Sequence, residues 1–154
     1  TIVVNGRSCR CPNAGCMEAY AGGWAISERA IELCNKNPES GKNLIEIAGS
    51  IDGITAATVS LAYHQKDVLA CKIVEDTARY LGAGIVGIVN AFNPEILILG
   101  GGVINGIPDL LTAVNSYVRV RALPSAVENL KIVNAAFGTK SVAKGAAEFA
   151  IEQI

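Results

Sequence analysis

The sequence predicts an α/β domain, and three observations carry that reading. Apolar runs of strand length alternate with longer segments whose apolar residues recur at helical spacing, in the order strand, helices, strand, glycine turn, helix, strand, helix. Apolar residues make up 51% of the chain and charged residues 18%, a balance that excludes disorder. At 154 residues the chain has the size of one domain, 1–154, and can bury a core without disulfide staples.

Residues 1–7 open with Ile2, Val3 and Val4 before Asn5-Gly6, which reads as a strand entering a turn. A cysteine-rich loop follows. From Met17 the pattern turns helical through Tyr20, Trp24, Ile26, Ala30 and Ile31, locally weakened by Gly22 and Gly23. Asn37-Pro38 marks a polar loop, and residues 44–47 read as a short helical turn. Asp52 is the expected N-cap of a helix through about Tyr63, and Asp67 that of a longer one ending by Asn93, because Pro94 disfavours helix just before it. That long helix is apolar nearly all round after Leu81, so its second half is expected deep in the domain. Residues 96–99 read as a strand ended by Gly100, Gly101 and Gly102. Pro108 suits the first turn of a helix over residues 107–121. Residues 130–135 read as a strand, and residues 141–154 as a final helix capped by Ser141.

Composition also limits the function. A formal net charge of −1, with scattered basic residues, argues against a nucleic-acid footprint. The longest apolar region, residues 80–104, is broken by Asn90, Asn93, Pro94 and Glu95, so no membrane span is expected. No basic stretch followed by an apolar run opens the chain, so no signal peptide is read. Five cysteines without secretory signals imply free thiols or metal ligands in a reducing cytoplasm.

Three of those cysteines, Cys9, Cys11 and Cys16, fall within eight residues. Thiolates suit zinc, but a structural zinc takes four ligands, and the only histidine, His64, is remote in sequence. The spacing alone leaves two readings open: an incomplete zinc site, or three free thiols in a tight loop.

Asn5-Gly6, Cys9-x-Cys11 and Gly15-Cys16-Met17-Glu18-Ala19-Tyr20 together resemble the zinc motif of the ROK family of bacterial sugar kinases and repressors. Asn93-Pro94-Glu95-Ile96-Leu97-Ile98-Leu99-Gly100-Gly101-Gly102-Val103 resembles that family's adenosine segment, and the likeness extends over essentially the whole chain. The resemblance implies the C-terminal lobe of an actin/hexokinase-like (ribonuclease H-like) fold, a central sheet flanked by helices. It implies a structural zinc held by Cys9, Cys11 and Cys16 plus an upstream histidine, a sugar contact at Glu18, and ATP with magnesium against Gly100, Gly101, Gly102 and Val103. One departure stands out: the family has glycine after the second cysteine, and this chain has Pro12, which fixes φ and removes an amide donor.

Read from the residues alone, Glu18 is a first-turn glutamate favoured by the helix dipole, and the triple glycine is a tight turn. The triple glycine lacks the Lys-Ser/Thr of a Walker loop and the acidic partner of a dinucleotide fingerprint. The resemblance places the catalytic base and phosphate loops upstream, so no residue of this chain is expected to be catalytic. The implied function is part of an ATP-dependent hexose kinase of glucokinase type, homo-oligomeric through this lobe. The alternative is the effector-binding lobe of a ROK repressor, the one reading in which nucleic acid is a partner. Trp24 and Tyr20 are expected as core or pocket wall, His64 as a helix-surface residue, and Cys34 and Cys71 as small hydrophobes. Arg119 and Arg121 close a helix whose dipole favours cations there.

Overall fold

The computed structural model describes residues 1–152. After an irregular segment come α1 (Glu18–Ala21), α2 (Gly23–Lys36), α3 (Lys42–Ala48), α4 (Ala56–His64) and the long α5 (Val68–Phe92). Then follow β1 (Ile96–Leu99), α6 (Gly102–Gly106), α7 (Pro108–Arg121), α8 (Pro124–Val127), β2 (Lys131–Asn134), a 3₁₀ turn (Gly138–Lys140) and α9 (Ser141–Glu152). β1 and β2 pair in parallel with Ile96 opposite Lys131 and Leu99 opposite Asn134, joined by the crossover through α6, α7 and α8. The expected α/β class holds. The last two residues of the expected final helix lie outside the described residues.

α5 is the spine. Its side chains Leu69, Ile73, Thr77, Ile85 and Val89 are buried, and they meet Ile26 of α2, Val59 of α4 and Leu110, Val114 and Val118 of α7 in one core. Asp67 caps it as expected, its carboxylate accepting the Ala70 N–H at 2.8 Å. Asn93 ends it with φ +44°, the left-handed stop that precedes Pro94. Between α5 and α2, the buried Thr77 hydroxyl donates to the Ile73 carbonyl and accepts from the Arg29 guanidinium. Burial draws the Arg29 pKa down from its usual value, against the pull of Asp76 and Tyr80.

Several expectations change in three dimensions. Residues 1–7 form no strand: the Ile2 and Val3 amides both donate to the Gly15 carbonyl, at 2.7 and 3.1 Å, so the segment wraps the cysteine loop instead of joining a sheet. The helix expected from Met17 breaks at Gly22, whose ψ of 152° is extended. Thr55, not Asp52, caps α4, in a reciprocal capping box with Thr58. Ser141 lies in helical conformation and donates to the Gly138 carbonyl, continuing the 3₁₀ turn into α9 rather than capping it. The second half of α5 is only partly covered, since Ile88 and Phe92 are exposed; its apolar residues exceed what the neighbouring helices reach. Arg119 bonds the Val127 and Leu130 carbonyls at 3.0 and 2.8 Å, tying α7 to the entry of β2, and Arg121 stacks on Tyr117. His64 is exposed and Cys34 buried, as expected.

The sheet is apolar on both faces but covered on one. Leu97, Leu99 and Ile132 pack on the core, whereas Ile96, Ile98 and Val133 are exposed. α9 buries none of its residues, and Val142, Phe149 and Ile151 are exposed along it. Among the described residues no helix is long and apolar enough to cross a membrane.

The two ends of this burial gradient predict opposite responses. Leu110→Ala, at a side chain with no exposed surface, should cost about 2–5 kcal/mol of unfolding free energy. Phe92→Ala, at a side chain 77% exposed, should stay within roughly 0.5 kcal/mol. Urea unfolding followed by circular dichroism checks both.

Candidate functional site

The cysteine loop is built on close backbone approaches. Gly15 has φ +69°, and a Cβ there would fall 1.7 Å from the Val3 carbonyl oxygen, so only glycine lets residues 1–3 fold over it. The Gly15 amide donates to the Arg7 carbonyl at 2.8 Å, the Cys9 amide to the Asn13 carbonyl at 3.0 Å, and Ser8 bridges Ala14. Arg7 then anchors the base of the loop: its amide donates to the Tyr20 hydroxyl at 2.8 Å and its guanidinium grips both Glu32 oxygens at 2.8 and 2.6 Å. The ion pair raises the Arg7 pKa and lowers that of Glu32. Tyr20 in turn packs on Tyr80 of α5, ring centres 4.2 Å apart.

This frame gathers the Cys9, Cys11 and Cys16 sulfurs within 4.8 Å of one another, with Cys11 and Cys16 at 3.6 Å. Tetrahedral zinc with Zn–S bonds near 2.3 Å needs sulfurs about 3.8 Å apart, so the three thiols fit three corners of such a site. Pro12 does not scatter them. Their acidities diverge. The Asn13 amide and the neighbouring thiols stabilise the Cys11 thiolate and lower its pKa, whereas the hydrogen bond to Cys11, with partial burial and the adjacent negative charge, pushes Cys16 up to about 11. Three thiolates at this spacing repel one another, and a divalent cation removes that penalty.

Two residues past Cys16, the exposed Glu18 opens α1. Its Oε1 accepts a hydrogen bond from Trp24 Nε1 at 2.9 Å, across the helix break at Gly22. Tyr20 is core, as expected, and Trp24 is half-buried beside the carboxylate.

The triple glycine follows β1. Gly101 has φ +108°, which requires glycine, and turns the chain into α6. Gly102 and Val103 then line an apolar cleft of about 570 Å³ with Gly23 of α2, Ala56, Ala57, Ser60 and Leu61 of α4, and the α6 end. Gly100 and Gly101 form the turn behind it and are not among its lining residues. A Cβ on Gly23 would sit 3.8 Å from both Ala56 and Val103, so the starts of α2, α4 and α6, far apart in sequence, converge here. The Ser60 hydroxyl, donating to the Gly106 carbonyl, and the Tyr63 hydroxyl, donating to Asp109, hold α4 against α6 and α7. The α4 wall was missed by the sequence reading; its only signal is a pair of small residues at a helix start. A second cavity of about 480 Å³, near Glu95 and Lys131, lies at the opposite, amino ends of the strands. Ligands of open parallel sheets favour the carboxyl ends, which selects the cleft at Gly102.

Known proteins share this fold. The chain is 30% identical over 136 residues to the N-acetylglucosamine repressor of Escherichia coli, covering 88% of this chain and 32% of that protein. It is 31% identical over 140 residues to a glucokinase of Halalkalibacterium halodurans, covering 89% of this chain and 41% of that protein. The crystal structure of a ROK family glucokinase from Streptomyces griseus in complex with glucose and AMPPNP superposes with a TM-score of 0.81 at 31% identity, over 96% of this chain and 48% of that one. The chain thus spans between about a third and a half of the length of these relatives, and its fold is of the actin/hexokinase-like class. The ROK family description matches residues 1–153: the chain belongs to the ROK family.

Proposed function

We propose that this chain is the C-terminal lobe of an ATP-dependent hexose kinase of glucokinase type, acting on the sugar's 6-hydroxyl. The carrying observation is the apolar cleft at the carboxyl end of β1, which brings Gly102 and Val103 beside the segment that follows Glu18. Five of its nine lining residues are glycine or alanine, leaving room for a flat base, and its volume is typical of small-molecule sites. Glucose and AMPPNP in the Streptomyces griseus relative support the same pair of ligands here.

In this reading Glu18 accepts hydrogen bonds from sugar hydroxyls, and a charged acceptor makes the stronger bonds. The cleft holds adenosine, with Gly100 and Gly101 shaping the turn that admits it. Cys9, Cys11 and Cys16 hold a structural zinc that fixes the loop leading into Glu18. Zinc supplies cross-linking of the loop and no chemistry of the transfer. Magnesium bound with ATP offsets the phosphate charge. The base for the attacking hydroxyl and the phosphate loops lie outside this chain. The protein works in the cytoplasm as a homo-oligomer.

Four outcomes are expected. ADP release by the intact protein with ATP, magnesium and a hexose panel should depend on sugar, glucose first. Glu18→Gln should raise the sugar KM by roughly 10- to 100-fold, the loss expected for hydrogen bonds to a charged group. Sugar binding without turnover would instead favour a sugar-responsive repressor, which the Escherichia coli relative also suggests. Ala57→Phe, which fills the cleft, should raise the ATP KM at least about tenfold while leaving the sugar KM within about twofold. Metal analysis should find one zinc, and a competing chelator dye should show its affinity falling as pH drops from 8 to 6, because zinc must displace thiol protons, that of Cys16 above all.

A further inference from the structure

Glu18 is not held by its own helix. α1 is four residues long, and the carboxylate is exposed. Among the described residues the one side chain that bonds it is Trp24, whose indole N–H reaches Oε1 at 2.9 Å. An indole is a donor only, so this contact survives only while the carboxyl oxygen faces it. The geometry depends on Gly22: a Cβ there would lie 2.9 Å from Glu18 Cγ and 3.3 Å from Trp24 Nε1. Glycine at the helix break therefore lets the two side chains close over the backbone.

The opposite side of the contact leads to the cysteine loop. The Arg10 guanidinium sits 4.5 Å from the centre of the Trp24 ring, within cation–π range. Arg10 lies between Cys9 and Cys11, so whatever fixes those two sulfurs also fixes the backbone that carries the guanidinium. The chain of contacts runs from thiols to Arg10, to Trp24, to Glu18, and each link is a non-covalent contact of defined geometry.

We propose that Trp24 is a positioning residue: it reads the state of the cysteine loop through Arg10 and sets the carboxylate of Glu18 for the sugar. This rests on the sugar contact proposed for Glu18 and on zinc at the three thiols. Loading the thiols holds Arg10 on the indole face, the stacked ring keeps its N–H on Oε1, and Oε2 is presented outward. Releasing the metal loosens Arg10, and Glu18 regains its free rotamers at a cost in sugar affinity.

Two measurements test it. Trp24 is the only tryptophan in these 154 residues, so its emission reports on the ring directly. Zinc added to the metal-stripped chain should change that emission in proportion to metal bound, and Arg10→Ala should bind zinc equally well with no emission change. Arg10 is exposed, so its removal leaves the core intact. Wild-type emission that stays flat while zinc binds, or an Arg10→Ala response equal to wild type, overturns the coupling. In the intact protein, Trp24→Phe keeps the ring under Arg10 but deletes the donor. It should raise the sugar KM about tenfold, as for one charge-assisted hydrogen bond, with kcat, ATP KM and zinc content unchanged. If turnover is absent, glucose calorimetry reads the same ratio as a dissociation constant. A Trp24→Phe protein that binds sugar like wild type while Glu18→Gln does not sinks the positioning role and leaves the kinase reading standing. Glu18→Gln with unaltered sugar affinity overturns both.

Discussion

The packing of the 25-residue helix α5 is the constraint to which the rest of this structure answers. Its buried stripe meets α2 and α4 on one side and α7 on the other. The fit against α7 leaves no slack, since a Cβ on Gly82 would lie 2.6 Å from the Tyr117 ring. Close packing of this kind transmits position, because interiors resist small changes of volume. The site inherits its geometry from that contact set. Tyr80 receives Tyr20, Thr77 receives Arg29, and Gly84 approaches Met17, so α1, α2 and the end of the cysteine loop are all set down on α5. α5 also carries α4, which walls the apolar cleft with α6 and Gly23 of α2.

Electrostatics act at a shorter range. The exposed ion pair between Arg7 and Glu32 contributes little stability, on the order of 1 kcal/mol or less, as solvent-facing pairs do. Its value is positional, because it pins the start of the loop to α2 while Gly15 pins the end. Between those anchors three sulfurs are gathered within 4.8 Å of one another. The Asn13 amide lowers the Cys11 pKa and the bond to Cys11 raises that of Cys16, and a bound cation would favour both thiolates.

The fold also leaves apolar surface open. Ile96, Ile98 and Val133 on the sheet, and Phe149 and Ile151 on α9, lie exposed in a chain whose interior is otherwise well packed. The apolar cleft is framed by α2, α4 and α6 of the chain itself, and the exposed Glu18 is held by Trp24.

Much of this was legible in the residues. Strand β1 appears where residues 96–99 predicted it, β2 fills residues 131–134 of the expected run, and α5 begins at the Asp67 cap and stops at Asn93. These signals are local: a carboxylate capping its own helix, a proline excluding helix before it, a run of β-branched and leucine side chains between breakers. The cysteine spacing put three thiols in one loop but left their meeting open, and it is the backbone turns around Gly15 that bring the sulfurs within 4.8 Å. What failed was whatever needed a distant partner. Ile2, Val3 and Val4 have strand character, but their amides find Gly15 instead of a neighbouring strand. The cap of α4 is a local exception: Thr55 displaces Asp52 because Thr58, three residues on, completes a capping box. The α4 wall of the cleft, and the contact of Trp24 with Glu18 and Arg10, were invisible because they exist only once Gly22 breaks the helix and Gly23 meets Ala56 and Val103. The sequence by itself determined the class, the long helix, the two paired strands and the reactive groups, because those depend on near neighbours along the chain. Only the tertiary structure decided which of them share a site, because that depends on how the helices pack on α5.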